Sequence, residues 1–287
     1  MKKILVIGIK GMAGHMLYNY FDESKLYDVY GLARNIESTP KLFDVDVSDT
    51  AQLRSLFIAN QFDYVVNCIG ILNKDAEDYP SKAIWFNSYF PHYLEEITKE
   101  TKTKIIHIST DCVFSGKEGG YTENDIKNGI GFYAQSKALG ELTNAKDVTI
   151  RTSIIGPELN QNGIGLFQWF MSQSDGAVLK GFTHAFWSGL TTLELAKVVR
   201  EIINQNISGL IQVAPSSNID KYTLISLFNS IYKNGKLAIE PNGNYHVDKS
   251  LVSIRTDFDY QVPNYQEMLE SQKDWILRHA TIYSHYL

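Results

Sequence analysis

From Lys3 to Ile9 the chain is an almost continuous apolar run (KILVIGI), without the alternation of a half-exposed strand, so it reads as a strand buried on both faces of a parallel sheet. Met12 to Phe21 follows at helical spacing, with Met12, Met16, Leu17 and Tyr20 on related faces. The alternation then repeats. Strands are predicted over Asp28–Ala33, just before Asp46, over Tyr64–Ile69, Lys104–Ile108 and Val148–Thr152, with helices over Thr50–Asn60, Pro80–Lys102 and Gly131–Asn144 between them. This succession predicts an α/β fold, a Rossmann-like doubly wound parallel sheet. No repeat of solenoid period and no low-complexity tract interrupts it.

After Arg151 the rhythm changes. Helical periodicity returns over Ile164–Ser174, Thr191–Gln205, Lys221–Tyr232 and Tyr265–Arg278, with a short strand at Leu210–Ala214 and polar, turn-rich stretches such as Asn242-Gly243-Asn244. The pattern predicts a nucleotide-binding domain over residues 1–155, with a return at about 190–214. A smaller C-terminal substrate-binding lobe, residues 156–189 and 215–287, would sit over the carboxyl edge of the sheet.

Composition narrows the class of protein. Of 287 residues 44% are hydrophobic and 21% charged, enough for a globular core. Lys plus Arg total 27 against 32 for Asp plus Glu, and with no basic patch this balance excludes a nucleic-acid partner. The longest apolar runs are strand-sized, so no membrane span is expected, and the start of the chain lacks a signal-peptide pattern. Two cysteines, Cys68 and Cys112, suit a reducing compartment. The expectation is a cytoplasmic enzyme. No metal site is expected: the seven histidines lack paired spacing, and an EF-hand loop from Asp44 would need Gly at 49 and Glu at 55, where Asp49 and Ser55 stand. Asn206-Ile207-Ser208 is a glycosylation sequon without a secretion signal.

The chemistry concentrates at strand ends. The first strand runs into Gly8-Ile9-Lys10-Gly11-Met12-Ala13-Gly14, glycine spacing that allows a tight turn, close approach of a pyrophosphate and close helix packing. Met12 and Ala13 would present helix N-terminal amides to the phosphates. Where an acidic residue would favour NAD, the second strand ends in Arg34, which can pair with a 2′-phosphate, so NADP(H) is expected over NAD(H). Asp46 and Val47 would read the adenine edge, and Cys68, Ile69 and Gly70 would flank the cofactor at the end of the fourth strand. Tyr133 and Lys137, four apart on one helix, share a face. An adjacent ammonium, helped by an oxidised nicotinamide, would lower the phenol from its ordinary ~10 and make it an acid–base catalyst. Thr110, at the end of the strand Lys104–Ile108, would hydrogen-bond a substrate carbonyl.

These motifs, with the run Ser109-Thr110-Asp111-Cys112-Val113-Phe114 and Asn67-Cys68-Ile69-Gly70, resemble an extended short-chain dehydrogenase/reductase. More narrowly, STDCVFSG from Ser109 to Gly116, followed by Tyr121-Thr122-Glu123-Asn124-Asp125, is similar to the dTDP-4-dehydrorhamnose reductase family. The resemblance implies reduction of a 4-keto sugar nucleotide by NAD(P)H in nucleotide-sugar and surface polysaccharide biosynthesis, with Thr110, Tyr133 and Lys137 as catalytic trio. It also implies that Asn87 supports the active-site backbone near the cofactor. Related 4,6-dehydratases carry Thr-Asp-Glu where this chain has Thr110-Asp111-Cys112; losing the glutamate argues for simple ketone reduction. Rhamnose-pathway reductases usually have tyrosine at that position, so a different deoxy- or N-acetylated sugar is equally admissible. Lys74, Thr110, Asp111, Cys112, Phe182, Trp187 and Arg255 are the candidates for the substrate side, Arg255 as a diphosphate clamp and the aromatics for stacking. A nucleotide-sugar C4 epimerase and a non-catalytic, cofactor-binding regulatory subunit are the alternatives, and the sequence leaves room for a homodimer.

Overall fold

The computed structural model describes residues 1–287. Its first half winds a parallel sheet: β1 (Lys3–Ile7), α1 (Met12–Ser24), β2 (Asp28–Ala33), β3 (Leu42–Asp44), α2 (Thr50–Asn60), β4 (Tyr64–Asn67) and α3 (Asn73–Asp78). Then come α4 (Pro80–Ala83), a π-helical turn (Ile84–Tyr89) and α5 (Phe90–Thr98), followed by β5 (Lys104–Ile108), α6 (Phe132–Leu139) and β6 (Val148–Arg151). The remainder holds β7 (Ile154–Ile155), α7 (Leu166–Met171), β8 (Val178–Trp187), β9 (Leu190–Thr191), α8 (Thr192–Asn204), β10 (Gly209–Gln212), β11 (Ile219–Asp220), α9 (Lys221–Lys233), β12 (Ala238–Asp248) and α10 (Tyr265–Arg278).

Seven strands pair in the order β10-β6-β5-β4-β1-β2-β3, and every pairing is parallel. The fold is therefore the doubly wound, Rossmann-like α/β fold, with β10 returning to the sheet's edge. The continuous apolar run of β1 serves both faces: Ile4 and Val6 join the core beneath α1 and α8, Leu5 and Ile7 the core beneath α2 and α5. Because the chain turns outward on opposite sides of β1 and β4, the loops beyond their carboxyl ends diverge and leave a crevice.

The second lobe departs from expectation. A three-stranded sheet, β11-β8-β12, forms there, with β12 parallel to β8. Asn242-Gly243-Asn244, read as a turn, lies inside β12 where the register slips between Asn242 and His246. Most of that strand is exposed, so its polar residues carry no buried face to betray it. The helix expected from Pro80 to Lys102 ends at Thr98 and is widened by the π turn. Close packing on α6 accompanies that turn: a Cβ on Gly140 would lie 1.8 Å from the Asn87 carbonyl. The helix expected over Gly131–Asn144 is shorter, starting after Gly131 at φ +92° and stopping at Gly140. No helix is long and apolar enough to cross a membrane.

Candidate active site

The glycine loop is built for backbone alone. Gly8 adopts φ +91°, and a Cβ on Gly14 would stand 2.1 Å from the Gly8 carbonyl, so α1 lies directly against the turn. No side chain caps α1, no acid occupies its first turn, and the amides of Met12 and Ala13 find no acceptor within the protein. Unpaired N–H groups at a helix N-terminus are an anion cradle, and they fit the pyrophosphate of a dinucleotide.

From this loop a cleft of about 340 Å³ extends over the sheet edge, lined by Gly8, Gly11, Arg34, Asp46, Val47, Cys68, Ile69 and Gly70, and also by Lys10, Lys82 and Phe86. Arg34 is exposed and its Nη1 lies 3.2 Å from Asp46 Oδ2. Lys10 reaches the same corner, donating to the Arg34 and Asn35 carbonyls at 3.3 Å each. Two cations thus share the end of β2.

On the other side of the crevice β5 delivers Thr110, and α6 brings Tyr133 and Lys137 alongside. Thr110 is buried; its hydroxyl donates to Asp111 Oδ1 and accepts from the Cys112 amide, both at 3.1 Å, at the head of a short 3₁₀ turn. Lys137 is buried too and donates to the Ile108 carbonyl at 2.6 Å, with no carboxylate on its ammonium. Burial pulls that ammonium down to about 8, against the opposing charge of Glu141.

The expected acidic phenol is not seen. Burial pushes the Tyr133 hydroxyl well above its ordinary range, the Cys112 and Asp111 charges add to this, and a hydrogen-bonding contribution from Thr110 opposes them. Lys137 makes no hydrogen bond to it. Its hydrogen bond goes to Ile108, so the sequence spacing brings the pair together without fixing the contact. Burial likewise raises the Cys68 thiol to about 12 and the Cys112 thiol to about 11.

Around this centre the support is dense. Asn87, fully buried on the π turn, accepts from the Ile71 amide at 2.8 Å and donates to the Ile71 carbonyl at 2.9 Å and to Ser136 Oγ at 3.0 Å. Its polar atoms are spent on the protein, so it positions the loop after β4 and α6 rather than touching a cofactor. Ser109, Arg151 and Lys127 converge on buried Glu141: Ser109 Oγ at 2.8 Å, Arg151 Nε and Nη2 at 2.9 and 2.8 Å, Lys127 Nζ at 3.1 Å. Burial, the largest single influence, would raise the Glu141 carboxyl, but Arg151, Lys127 and Ser109 together hold it low.

Several expected substrate residues are not brought here. Arg255 is committed: it pairs with Asp257 and donates to the Ser208 and Leu210 carbonyls at 3.0 and 2.9 Å, at the amino half of β10, the wrong edge of the sheet. Lys74 sits exposed on α3 in an ion pair with Asp78. Trp187 is buried, its ring covered by Lys221, and offers no open face for stacking. Phe182 lies against Tyr245 at 5.2 Å between ring centres, five residues or ~17 Å along β8 from Trp187.

Sequence reasoning missed Lys10, Glu77, Glu141, Lys221 and Lys249. Glu77 accepts from the Phe132 and Tyr133 amides at 3.1 Å each, capping α6 from α3. Three-dimensional packing reveals these roles; apart from the charge of Lys10 beside Gly11, no local pattern marks them.

The chain matches the family model described as the RmlD substrate binding domain over residues 1–215. It is 27% identical over 225 residues to "Probable low-salt glycan biosynthesis reductase Agl14" of Haloferax volcanii, covering 75% of each chain. With the dTDP-4-dehydrorhamnose reductase of Aggregatibacter actinomycetemcomitans it shares 27% identity over 211 residues, 71% of this chain and 69% of that one. In three dimensions it is similar to the dTDP-4-dehydrorhamnose reductase of Bacillus anthracis solved in complex with NADP, with a TM-score of 0.80 at 20% identity, covering 96% of this chain and 99% of that one.

Proposed function

Because the chain belongs to the RmlD substrate binding domain family, we propose that it is an NAD(P)H-dependent oxidoreductase that reduces a 4-keto (deoxy)sugar nucleotide, with NADP(H) preferred, in nucleotide-sugar and surface polysaccharide biosynthesis. The observation that carries the reading is the placing of Thr110, Tyr133 and Lys137 at the carboxyl edge of the sheet, across the crevice from a glycine loop with unpaired amides. The relatives named above, reductases by name, support it.

When bound, the reduced nicotinamide supplies the hydride. Tyr133 donates its proton to the oxygen of the ketone as charge develops there. For this direction a phenol that holds its proton in the resting enzyme is the required form, which is the form burial enforces. Thr110 orients the carbonyl oxygen, and Lys137 holds the cofactor ribose and shares the charge of the phenol as the proton leaves. The Cys112 thiol, raised to about 11, stays neutral at physiological pH and provides no base for eliminating water. That favours plain reduction over dehydration. The adjoining cations Arg34 and Lys10 support the preference for a 2′-phosphate.

The test is loss of NADPH absorbance on adding 4-keto sugar nucleotides from a dTDP-, UDP- and GDP-linked panel. Turnover is expected with at least one, and Tyr133→Phe should lower kcat by ~10²–10⁴ with NADPH affinity kept. No turnover across the panel would favour a regulatory subunit; cofactor retained through purification with no need for added reductant would favour an epimerase.

A further inference from the structure

Two lysines of the second lobe face the Asp111–Cys112 turn, and neither has a carboxylate partner. Lys221 opens α9, and its Nζ stands 4.7 Å from the centre of the Trp187 ring. Asp111 and Cys112 both act on its charge. Lys249 follows directly on β12. Its charge acts on the Cys112 thiol, and its stem packs against Gly116, where a Cβ would come within 2.8 Å of its Cγ. The ion pairs of the chain involve neither.

The acids adjacent in sequence are engaged elsewhere. Asp220 caps α9 by accepting from the Thr223 amide at 2.9 Å, and Asp248 accepts from the Ser250 amide at 2.9 Å. Lys221 has Asp111 nearby but forms no ion pair, and burial of its ammonium is unfavourable; the aromatic face of Trp187 offsets only part of that. Burial draws Lys221 down to about 8 even though Asp111 pulls the other way. Arg255, the cation expected for this task, is occupied at the opposite edge of the sheet.

We infer that Lys221 and Lys249 form an anion-receiving pair that takes an oxyanion of the nucleotide sugar, a phosphate of its diphosphate or a carboxylate carried on the sugar. The inference rests on the reductase reading for the identity of the ligand, and on the two unpaired ammoniums for the site. Asp111 is one carboxylate beside two ammoniums, so a substrate oxyanion would supply the second counter-charge, which ties ground-state binding, rather than the chemical step, to these side chains.

The test uses the full chain with Lys221→Met, Lys249→Met, the double substitution and Lys221→Arg. Inorganic pyrophosphate and UDP-glucuronate are titrated while tryptophan fluorescence is followed, since Trp187 lies under Lys221. Each methionine substitution should weaken binding about 10-fold and the pair about 100-fold, the range for charge-assisted hydrogen bonds. Lys221→Arg should restore most of it, and NADPH affinity should be unchanged throughout, which also reports a folded protein. Loss of pyrophosphate binding assigns the site to a phosphate; loss for UDP-glucuronate with pyrophosphate unaffected assigns it to a sugar carboxylate. With a turned-over substrate, KM should rise by the same factors while kcat stays within ~3-fold. A double variant that binds both probes like the parent, with unchanged KM, overturns the inference and leaves the reductase reading standing. Lysine-dependent binding without turnover on any 4-keto sugar nucleotide does the reverse.

Discussion

Lys137 is anchored by one carbonyl, that of Ile108, and burial pulls its ammonium down to about 8. The unfolded chain keeps its proton up to the ordinary lysine range near ~10.4. Between about 8 and that range the unfolded state therefore binds more protons, so this group makes stability rise with pH across the window and costs the fold most below it. Activity should run the opposite way. A step that uses the ammonium loses it as pH climbs, so kcat/KM should fall on an alkaline limb with an apparent pKa near 8 in the free enzyme. Lys221 is also drawn to about 8, so the profile is to be recorded on Lys221→Met as well. A limb that persists there belongs to Lys137; one that vanishes belongs to Lys221. At the other end of the cleft the expected cofactor preference rests on Arg34, exposed and only loosely paired with Asp46. Arg34→Ala should weaken NADPH about 10-fold while leaving NADH nearly unchanged, because a 2′-phosphate contact is charge-assisted and a ribose hydroxyl contact is not. Calorimetric titration of both cofactors checks the difference.

Among the elements, α6 has the hardest task. It is eight residues long, too short to be stable by itself, yet it must hold Tyr133 and Lys137 in register with β5. Two clamps do this: Glu77 caps its first turn, and Asn87 binds Ser136 in the next. Gly131 enters at φ +92°, and a Cβ there would lie 2.6 Å from Glu77 Oε1, so glycine makes room for the cap. Glu77→Ala should cost about 1 kcal/mol, the usual effect of losing a cap, and lower kcat more than it raises the NADPH dissociation constant. Glu77→Gln, which keeps an acceptor oxygen, should recover most of kcat; equal loss in both variants would assign the effect to charge instead. Chemical denaturation and steady-state kinetics on the same preparations separate the two. The Tyr133–Lys137 spacing and the end of β5 could be read in the sequence because both are local, four residues or one strand long. Glu77, 56 residues before Tyr133, could not. Neither could Lys221 and Lys249, which reach the Asp111–Cys112 turn only after the second lobe folds over it. Arg255 misled for the same reason: a conspicuous arginine has no address until its partners are known.

At the scale of the whole molecule the parallel sheet was readable because its central strands β1 and β4 are short, largely apolar runs flanked by helices, and burial on both faces demands that composition. The sheet of the second lobe was not, since β12 is exposed along most of its length and carries Pro241 and an Asn-Gly-Asn segment that ordinarily signals a turn. What unites the two halves is also remote in sequence. The C-terminal tail returns to the glycine loop: Tyr283, fully buried, holds its hydroxyl 2.9 Å from His15 Nε2, and the other ring nitrogen lies 2.9 Å from the Gly11 carbonyl. Nearby, Tyr286 accepts from the Glu158 amide at 2.9 Å and binds Gln168, pinning the segment that leads into α7. Burial lowers His15 to about 4, so its ring is neutral at physiological pH, and with one nitrogen facing a carbonyl acceptor the other accepts the phenol proton. Tyr283→Phe removes that donor while preserving the ring, leaving a buried imidazole nitrogen unpaired. It should cost about 1–3 kcal/mol, read as a lowered denaturation midpoint at unchanged denaturant slope. If the bond also fixes the loop through Gly11, NADPH affinity should fall in the same variant while the KM for the second substrate holds; a stability loss with cofactor binding intact would limit the tail to the fold.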